Sequence, residues 1–332
     1  MRIALDAMGS DNAPAIEVEG AVGALVTLGG TFRLVLVGDQ DRIEAELHRY
    51  PEAPRDRIEI VHAPDRIEMG ESPAQAIRRK QGSSIVVGLN LHKTMEVDAF
   101  ISAGSTGAVM AGSLMILRPL HGVDRPAIGT FMPTRSGHLL LIDAGANVDT
   151  RPHQLVQFAH LGTIYAQDLM GVERPRVGLL NIGEEREKGN ELTVETHQLL
   201  AAESKLNFVG NIEGRDIIAH GCDVLVCDGF VGNVLLKFYE SVAGFIVQML
   251  RKEAEAASAA MDFTRIFQAL DYTEYGGAPL LGVNGVTIIC HGGSPPRAIR
   301  NAIRVAVQSV EREMVTHIKN RLAKLSDASQ SS

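Results

Sequence analysis

Short stretches of small and polar residues, rich in glycine, follow apolar runs at six places in this sequence of 332 residues. One of them leads straight into an apolar segment and consists of Gly104, Ser105, Thr106 and Gly107. The others begin at Asp6, Asp143, Asn181, Asp228 and His291. Glycine-rich turns that enter helices bind anions, because free backbone N–H groups and the helix dipole favour negative charge. The pattern therefore predicts a site for a small anion, and phosphate is the best candidate.

Two charged or titratable side chains could assist such a site. Lys188 lies in a charged run just after the Asn181 stretch, and this run could equally be an ordinary solvated surface. His291 directly follows an apolar run, where it could be a satisfied core histidine or a proton carrier. The glycine motifs that anchor NAD and ATP are both missing, and so are the serine elbow and the HExxH motif. We therefore expect no nucleotide cofactor, no metal ion and no serine acyl-enzyme.

The composition restricts the partners of the protein. Asp and Glu number 40 against 32 Lys and Arg, a formal net charge of −8, which argues against nucleic acid as a partner. The cysteines number three and form no CxxC pair, so we expect buried, reduced thiols. The first 20 residues contain Asp and Glu and no signal-peptide core. We find no run of about 18 apolar residues, and so expect no membrane span and a cytoplasmic protein.

These stretches must be positioned by a sheet. Short β-branched or leucine-rich runs alternate with longer helical patterns, which predicts an α/β fold with a mostly parallel, doubly wound sheet. In such a sheet the ligand crevice lies outside the carboxyl ends of the strands. We expect one catalytic unit over residues 1–325. The predicted strands are Arg2–Leu5, Leu34–Val37, Ile58–Val61, Ala99–Ser102, Leu139–Ile142, Val177–Asn181, Phe208–Val209, Asp223–Cys227 and Val286–Cys290.

One segment departs from this alternation. A long helical pattern from Val234 to about Ala257 is followed by a shorter one from Asp262 to Leu270. Apolar residues in the first pattern are spaced by three and four, as in a coiled-coil seam. They are Leu235, Phe238, Val242, Phe245 and Met249. We expect a protruding helical hairpin over residues 234–271 and a flexible tail over residues 326–332.

Six segments carry a resemblance to a known family, and they occur in the family's order over nearly the whole chain. Two positions depart from the family's typical residues: Ser10 stands where the family has Gly, and Ser105 stands where Asn is common. The matching segments are Ile3–Gly9, Ser72–Arg78 with Ser83-Ser84, Ser102–Ala108, Asp143–Val148, Leu179–Glu185 with Lys188-Gly189, and Val224–Val234. On these residues the sequence resembles the bacterial phosphate acyltransferases of phospholipid synthesis, which use acyl-acyl carrier protein (acyl-ACP) and inorganic phosphate.

The resemblance implies a three-layer α/β/α fold of the isopropylmalate dehydrogenase-like type. It implies transfer of a long-chain acyl group from acyl-ACP to inorganic phosphate, without metal or cofactor. It also implies a homodimer whose hairpin lies near the dimer interface and touches the membrane surface. There the acyl phosphate would be used by a glycerol-3-phosphate acyltransferase.

We assign roles in this reaction to individual residues as hypotheses. The turn Gly104–Gly107 would bind phosphate together with Lys188, and Asn233 would donate a hydrogen bond to the thioester oxyanion. His291 would protonate the departing thiolate or orient phosphate. Three residues would fix the loops around the substrates: Asp143, Asn147 and Asp228. The basic residues Arg297, Arg300 and Arg304 could dock the acidic carrier protein, or could be an ordinary solvated face.

Two other functions stay open on the sequence. The first is a phosphotransacetylase-like enzyme that uses short acyl-CoA, which shares the chemistry and differs in the acyl donor. The second is a non-catalytic regulator that binds phosphate or an acyl ligand on the same scaffold.

Overall fold

A computed structural model describes residues 1–257 and 276–329 of the protein. Contacts along the chain cluster into two compact units. The first unit comprises Met1–Pro126 and Tyr275–Ser332, and the second comprises Ala127–Glu274. That residues 1–325 form one catalytic unit stays a prediction. Each compact unit is described by itself below.

The strands are short and mostly follow the order of the predicted pattern. They are β1 (Arg2–Asp6), β2 (Arg33–Gly38), β3 (Ile58–His62), β4 (Ala99–Ser102), β5 (Ala127–Thr134), β6 (Gly137–Ile142), β7 (Arg176–Leu180), β8 (Asn207–Ile212), β9 (Val224–Val226), β10 (Ala278–Leu281) and β11 (Val286–Ile289).

The helices lie between the strands and at the end of the described chain. They are α1 (Ala15–Thr27), α2 (Gln40–Leu47), α3 (Pro73–Arg79), α4 (Ser84–Lys93), α5 (Thr106–Gly112), α6 (Pro152–Tyr165), α7 (Glu191–Ala202), α8 (Gly214–Ile218), α9 (Gly229–Ala257), α10 (Pro296–Glu311) and α11 (Met314–Ser329). Helices α5 and α6 each continue into a π-helical turn, Ser113–Leu117 and Ala166–Met170.

The sheet of the first unit has the strand order β3-β2-β1-β4-β11-β10. Neighbouring strands in this sheet are parallel, except that β10 runs antiparallel to β11. Residues 34–37 of β2 and 3–5 of β1 are completely buried, as expected for parallel strands covered on both faces. The carboxyl ends of β1, β4 and β11 therefore meet at one edge, and the stretches that begin at Asp6, Ser102 and His291 leave from it.

The sheet of the second unit has the strand order β5-β6-β9-β7-β8. Strands β6, β9, β7 and β8 are parallel, and β5 runs antiparallel to β6. The carboxyl ends of β6, β9 and β7 lie side by side, so the stretches that begin at Asp143, Asp228 and Asn181 leave from one edge.

All nine predicted strands are present, and the mostly parallel α/β class is confirmed. Two strands were not predicted, β5 and β10. Each is the antiparallel member of its sheet, and each contains a proline, Pro133 in β5 and Pro279 in β10. Proline is depleted in strand interiors, which hides these strands from a pattern search.

The long helix α9 begins at Gly229, before the predicted start at Val234. Of the predicted seam, Phe238 and Phe245 are 66% and 61% exposed, whereas Leu236 and Ala243 are buried. The predicted second helix of the hairpin, Asp262–Leu270, lies outside the described residues. At the end of the chain, α11 includes residues 326–329 of the segment predicted as a flexible tail.

By length and composition alone, the 22 residues Gly229–Leu250 of α9 could cross a membrane, although we expected no such segment. The charged residues Lys237 and Glu240 interrupt the apolar run, so a search for uninterrupted apolar residues misses it.

Candidate active site

The predicted anion-binding turn lies at the carboxyl end of β4 and is held by buried hydrogen bonds. Ser102 Oγ donates to Asp6 Oδ2 over 2.6 Å and accepts from the Gly104 amide over 3.0 Å. Ser105 caps α5, since its Oγ accepts from the Ala108 amide over 3.4 Å. The amides of Thr106 and Gly107 have no acceptor within residues 1–257 and 276–329. The amides of Thr106 and Gly107 are therefore the open donors of the turn, whereas the Gly104 amide already donates to Ser102.

The His291 loop lies beside this turn. Strand β11 is the parallel neighbour of β4, and the Cys290 amide donates to the Ser102 oxygen over 2.8 Å. The Asp11 amide donates to the Gly292 oxygen over 2.9 Å, which ties the loop after β1 to the same place. His291 itself is exposed, which rules out the core histidine considered above. The structure thus brings the Gly104 turn and His291 to one edge of the first unit.

A buried glutamate supports the loop after β1, and the sequence patterns did not indicate it. Glu17, in the first turn of α1, is completely buried, and its Oε1 accepts from the Ser10 amide over 2.7 Å. The Arg66 guanidinium donates to the Ser10 oxygen over 3.1 Å. Burial, with a smaller contribution from the charge of Asp6, raises the pKa of Glu17 to about 7. A glutamate in a mostly apolar helix was the only signal available, and it is a weak one because Glu19 in the same helix is exposed.

The Asp6 carboxyl is also completely buried at this edge. Burial raises its pKa, and hydrogen bonds from Ser102, Ser84 and the Met8 amide, with the charge of Arg66, act in the opposite direction. Asp6 therefore accepts hydrogen bonds that fix the start of the β1 loop and the Ser102 hydroxyl.

In the second unit, Asp143 organises the loop after β6. Its carboxylate accepts from the amides of Ile128, Ala146 and Asn147 and from the side-chain amide of Asn147. The distances are 3.2, 2.8, 2.8 and 2.8 Å respectively. Burial raises the pKa of Asp143, and these N–H donors oppose the shift by stabilising the carboxylate. Asp143 is thus a structural acceptor for its own loop, with Asn147 buried against it.

The first turns of α9 pack on this loop. Asp228 Oδ1 accepts from the Val231 amide over 2.9 Å and so caps the helix. The Gly229 amide donates to the Asn147 oxygen over 2.7 Å. Gly145 has a φ of 124°, and a Cβ atom there would lie 3.4 Å from the side chain of Asn233. The structure therefore brings Asp143, Asn147, Asp228 and Asn233 together.

Lys188 stands on the loop after β7, the neighbour of β9. The side-chain amide of Asn181 donates to the Lys188 backbone oxygen over 2.9 Å, which shapes this loop. The Lys188 side chain is exposed, and its stem passes over Gly183. Within the described part of the chain, its ammonium group forms no ion pair. Lys188 therefore has a cationic group available for an anionic ligand.

The three thiols are free and buried, as expected. Two of them directly precede candidate residues, Cys227 before Asp228 and Cys290 before His291. Burial raises the pKa of Cys222 and of Cys290 to about 12 and raises that of Cys227 well above its usual value. Since the thiolate is the nucleophilic form, these thiols are poorly suited to carry an acyl group. No group of three or more potential metal ligands occurs among the residues described.

Solved structures with a similar fold include two phosphotransacetylases and a branched-chain phosphotransacylase. A phosphotransacetylase of Streptococcus pyogenes aligns with a TM-score of 0.61 at 15% identity, covering 93% of this chain and 94% of the other. EutD phosphotransacetylase of Staphylococcus aureus gives 0.60 at 18% identity and 94% of each chain. A branched-chain phosphotransacylase of Enterococcus faecalis gives 0.61 at 14% identity, with 93% and 99% coverage. At such identities the likeness establishes the fold.

Sequence comparison goes further. A phosphate acyltransferase of Desulforamulus reducens is 51% identical over 329 residues, covering 97% of both chains. One of Heliobacterium modesticaldum is 49% identical over 330 residues, covering 97% of this chain and 98% of the other. The family model described as fatty acid synthesis protein matches residues 1–317. This chain therefore belongs to the fatty acid synthesis protein family, in which these relatives are named phosphate acyltransferases.

Proposed function

We propose that this protein is a phosphate acyltransferase that moves a long-chain acyl group from acyl-ACP to inorganic phosphate and so supplies acyl phosphate for phospholipid synthesis. Full-length identity of 51% to a phosphate acyltransferase is the observation that carries the proposal. The phosphotransacetylase-like alternative has support only from the fold, at 14–18% identity. A regulator without activity has no support from relatives that are named as enzymes.

The proposed reaction needs no covalent enzyme intermediate. A phosphate oxygen attacks the thioester carbon, the carbonyl electrons move to oxygen, and the C–S bond breaks as the carbonyl re-forms. The products are acyl phosphate and a thiolate, which takes up one proton. Orientation of two bound reactants can lower a barrier by about 7–11 kcal/mol, so positioned substrates suffice for most of the catalysis.

The described residues support roles in this reaction. In the first unit, the open amides of Thr106 and Gly107 would donate hydrogen bonds to phosphate. In the second unit, Lys188 would supply a positive charge for an anionic ligand. Asn233 would donate to the thioester oxyanion, a contribution of about 3–4 kcal/mol for one such donor. His291, which is exposed, would protonate the leaving thiolate or orient phosphate. The inert thiols are consistent with direct attack.

A hydroxylamine trap tests the activity. The protein is incubated with phosphate and with acyl-ACP or acyl-CoA of several chain lengths, and the acyl hydroxamate is measured. We expect phosphate-dependent hydroxamate with long-chain acyl-ACP. Hydroxamate from acetyl- or butyryl-CoA alone would support the phosphotransacetylase-like alternative, and binding of either ligand without hydroxamate would support the regulator.

The proposal extends to partners and location. In this proposal the protein acts in the cytoplasm as a homodimer. It contacts the inner face of the cell membrane peripherally and also contacts a glycerol-3-phosphate acyltransferase. Exposed Phe245 and Met249 on α9, beside exposed Lys252, suit an interfacial surface. Sedimentation with anionic vesicles and a solution mass measurement test these two contacts, and a monomer that does not sediment would contradict both.

Docking of the acidic carrier protein was predicted at Arg297, Arg300 and Arg304. On α10, Arg297 is exposed, whereas Arg300 and Arg304 are half-buried. Arg300 packs over α1, where its Cδ lies 3.8 Å from the Cβ position of Gly23. In the proposal Arg297 is therefore the main contact of the three, and its charge reversal should weaken apparent carrier affinity.

A further inference from the structure

Exposed apolar side chains surround the carboxyl edge of the second unit. Val148 follows the Asp143 loop and is 61% exposed, and Ile182 follows β7 and is 80% exposed. In the first turns of α9, Phe230 is 60% and Val234 is 54% exposed. A single exposed apolar residue is ordinary, but several beside a polar site indicate a ligand or partner surface.

These side chains are continuous with the candidate site. The hydrogen bond from the Gly229 amide to the Asn147 oxygen joins the residues that directly precede Phe230 and Val148. Phe230, Val234 and Phe238 follow one another at intervals of four, so they share one face of α9. Asn233 lies next to this face, with its side chain against Gly145.

We propose that this surface, formed by Val148, Phe230, Val234 and Phe238, binds the acyl chain of the thioester substrate. The inference rests on the proposed function. The thioester carbonyl would lie at Asn233, and the hydrocarbon would leave the polar loops along α9. The polar groups at the start of the surface and its apolar continuation match the two parts of an acyl thioester.

A second copy of the chain or a lipid surface could also cover an apolar face of α9. Neither of these coverings would require apolar residues at the Asp143 loop. The apolar surface nevertheless begins there, with Val148, and continues along α9. Farther along the same helix, Phe245 is 61% exposed and lies about 22 Å from Phe230 at about 1.5 Å per residue. Phe245 is thus matched to Phe230 in residue type and exposure but lies far from the site.

The test compares Phe230→Ser with Phe245→Ser. For each, kcat/KM is measured by the hydroxylamine trap with four-carbon and sixteen-carbon acyl-ACP, and the ratio of the two values is taken. A general defect in folding or assembly lowers both values and leaves the ratio unchanged. We expect Phe230→Ser to lower the ratio about tenfold or more and Phe245→Ser to leave it within about twofold.

The proposal is overturned if Phe230→Ser lowers kcat/KM equally for the two chain lengths. It is also overturned if both variants lower the ratio to the same extent. The second result would show that the effect on chain-length preference does not depend on the distance of the residue from the site. Failure of the proposed function is a separate result, because the unaltered protein would then form no hydroxamate with either chain length.

Discussion

At the scale of single residues, most of the polar groups that sequence reasoning placed in the site have a visible structural partner. Asp143 is fully engaged by N–H donors, Asp228 caps α9, and Gly104 bonds to Ser102. These residues shape the loops. Among the described residues, the groups left to meet substrates are the amides of Thr106 and Gly107 and the side chains of Lys188 and Asn233. His291 is exposed beside the Gly104 turn.

Replacing Asn233 with alanine should lower kcat about 10²–10³-fold, because one oxyanion donor is lost. The KM for phosphate should change little, since the phosphate donors are untouched. Asn90→Ala is the matched control, because Asn90 is exposed near the end of α4. Steady-state kinetics measure both. Near-full turnover in Asn233→Ala would remove Asn233 from the catalytic residues.

Glu17 should make stability depend on pH. Its pKa is about 7 in the folded protein, against 4.5 as the usual value, so the fold favours the neutral form. This stability is fully present below pH 4.5 and is lost as pH rises through 7, because the unfolded chain releases its proton first. At about 1.4 kcal/mol per pKa unit, the loss is about 3 kcal/mol.

Glu17→Gln removes this titration and leaves the other groups in place. The free energy of unfolding of the unaltered protein, minus that of Glu17→Gln, should therefore fall by about 3 kcal/mol between pH 4.5 and pH 8. Denaturant titrations at several pH values measure it. A difference that does not vary with pH would show that Glu17 titrates normally.

At the scale of elements, the site depends on how α9 begins. Gly232 lies where a Cβ atom would overlap the backbone oxygen of Asp143, and Asn233 is the next residue. The capping carboxylate of Asp228 and the bond from Gly229 to Asn147 hold the same turn. The helix start and the Asp143 loop therefore position Asn233 jointly.

Gly232→Ala should lower the free energy of unfolding by about 1–3 kcal/mol, because the added methyl group forces α9 away from Asp143. It should also lower kcat through Asn233. Gly244→Ala is the control in the same helix, since nothing lies within 4 Å of its Cβ position. That control should stabilise the protein by about 0.5–1 kcal/mol. Equal effects of the two substitutions on unfolding would contradict the close contact.

The elements that sequence patterns predict best are those with one strong periodic signal. The buried parallel strands, such as Leu34–Val37, read as continuous apolar runs. Strands β5 and β10 were missed because Pro133 and Pro279 interrupt such runs. The support of Ser10 by Glu17 and Arg66 could not be predicted, since it joins residues up to 56 positions apart. The packing of the predicted seam on α9 stays a prediction, because the second helix of the hairpin lies outside the described residues.

At the scale of the whole molecule, the family match spans residues 1–317 and so includes both compact units. In each unit, polar, glycine-rich loops follow the carboxyl ends of the parallel strands. The first unit offers open amides and His291, and the second offers Lys188 and Asn233.

Direct transfer is tested by a rapid-quench single turnover with excess protein and long-chain acyl-ACP, with and without phosphate. The free carrier thiol, the acyl phosphate and the intact mass of the protein are measured at each time. We predict no thiol release and no change of mass without phosphate, and one acyl phosphate per thiol with it. Thiol release without phosphate, accompanied by a protein heavier by one acyl group, would contradict direct attack.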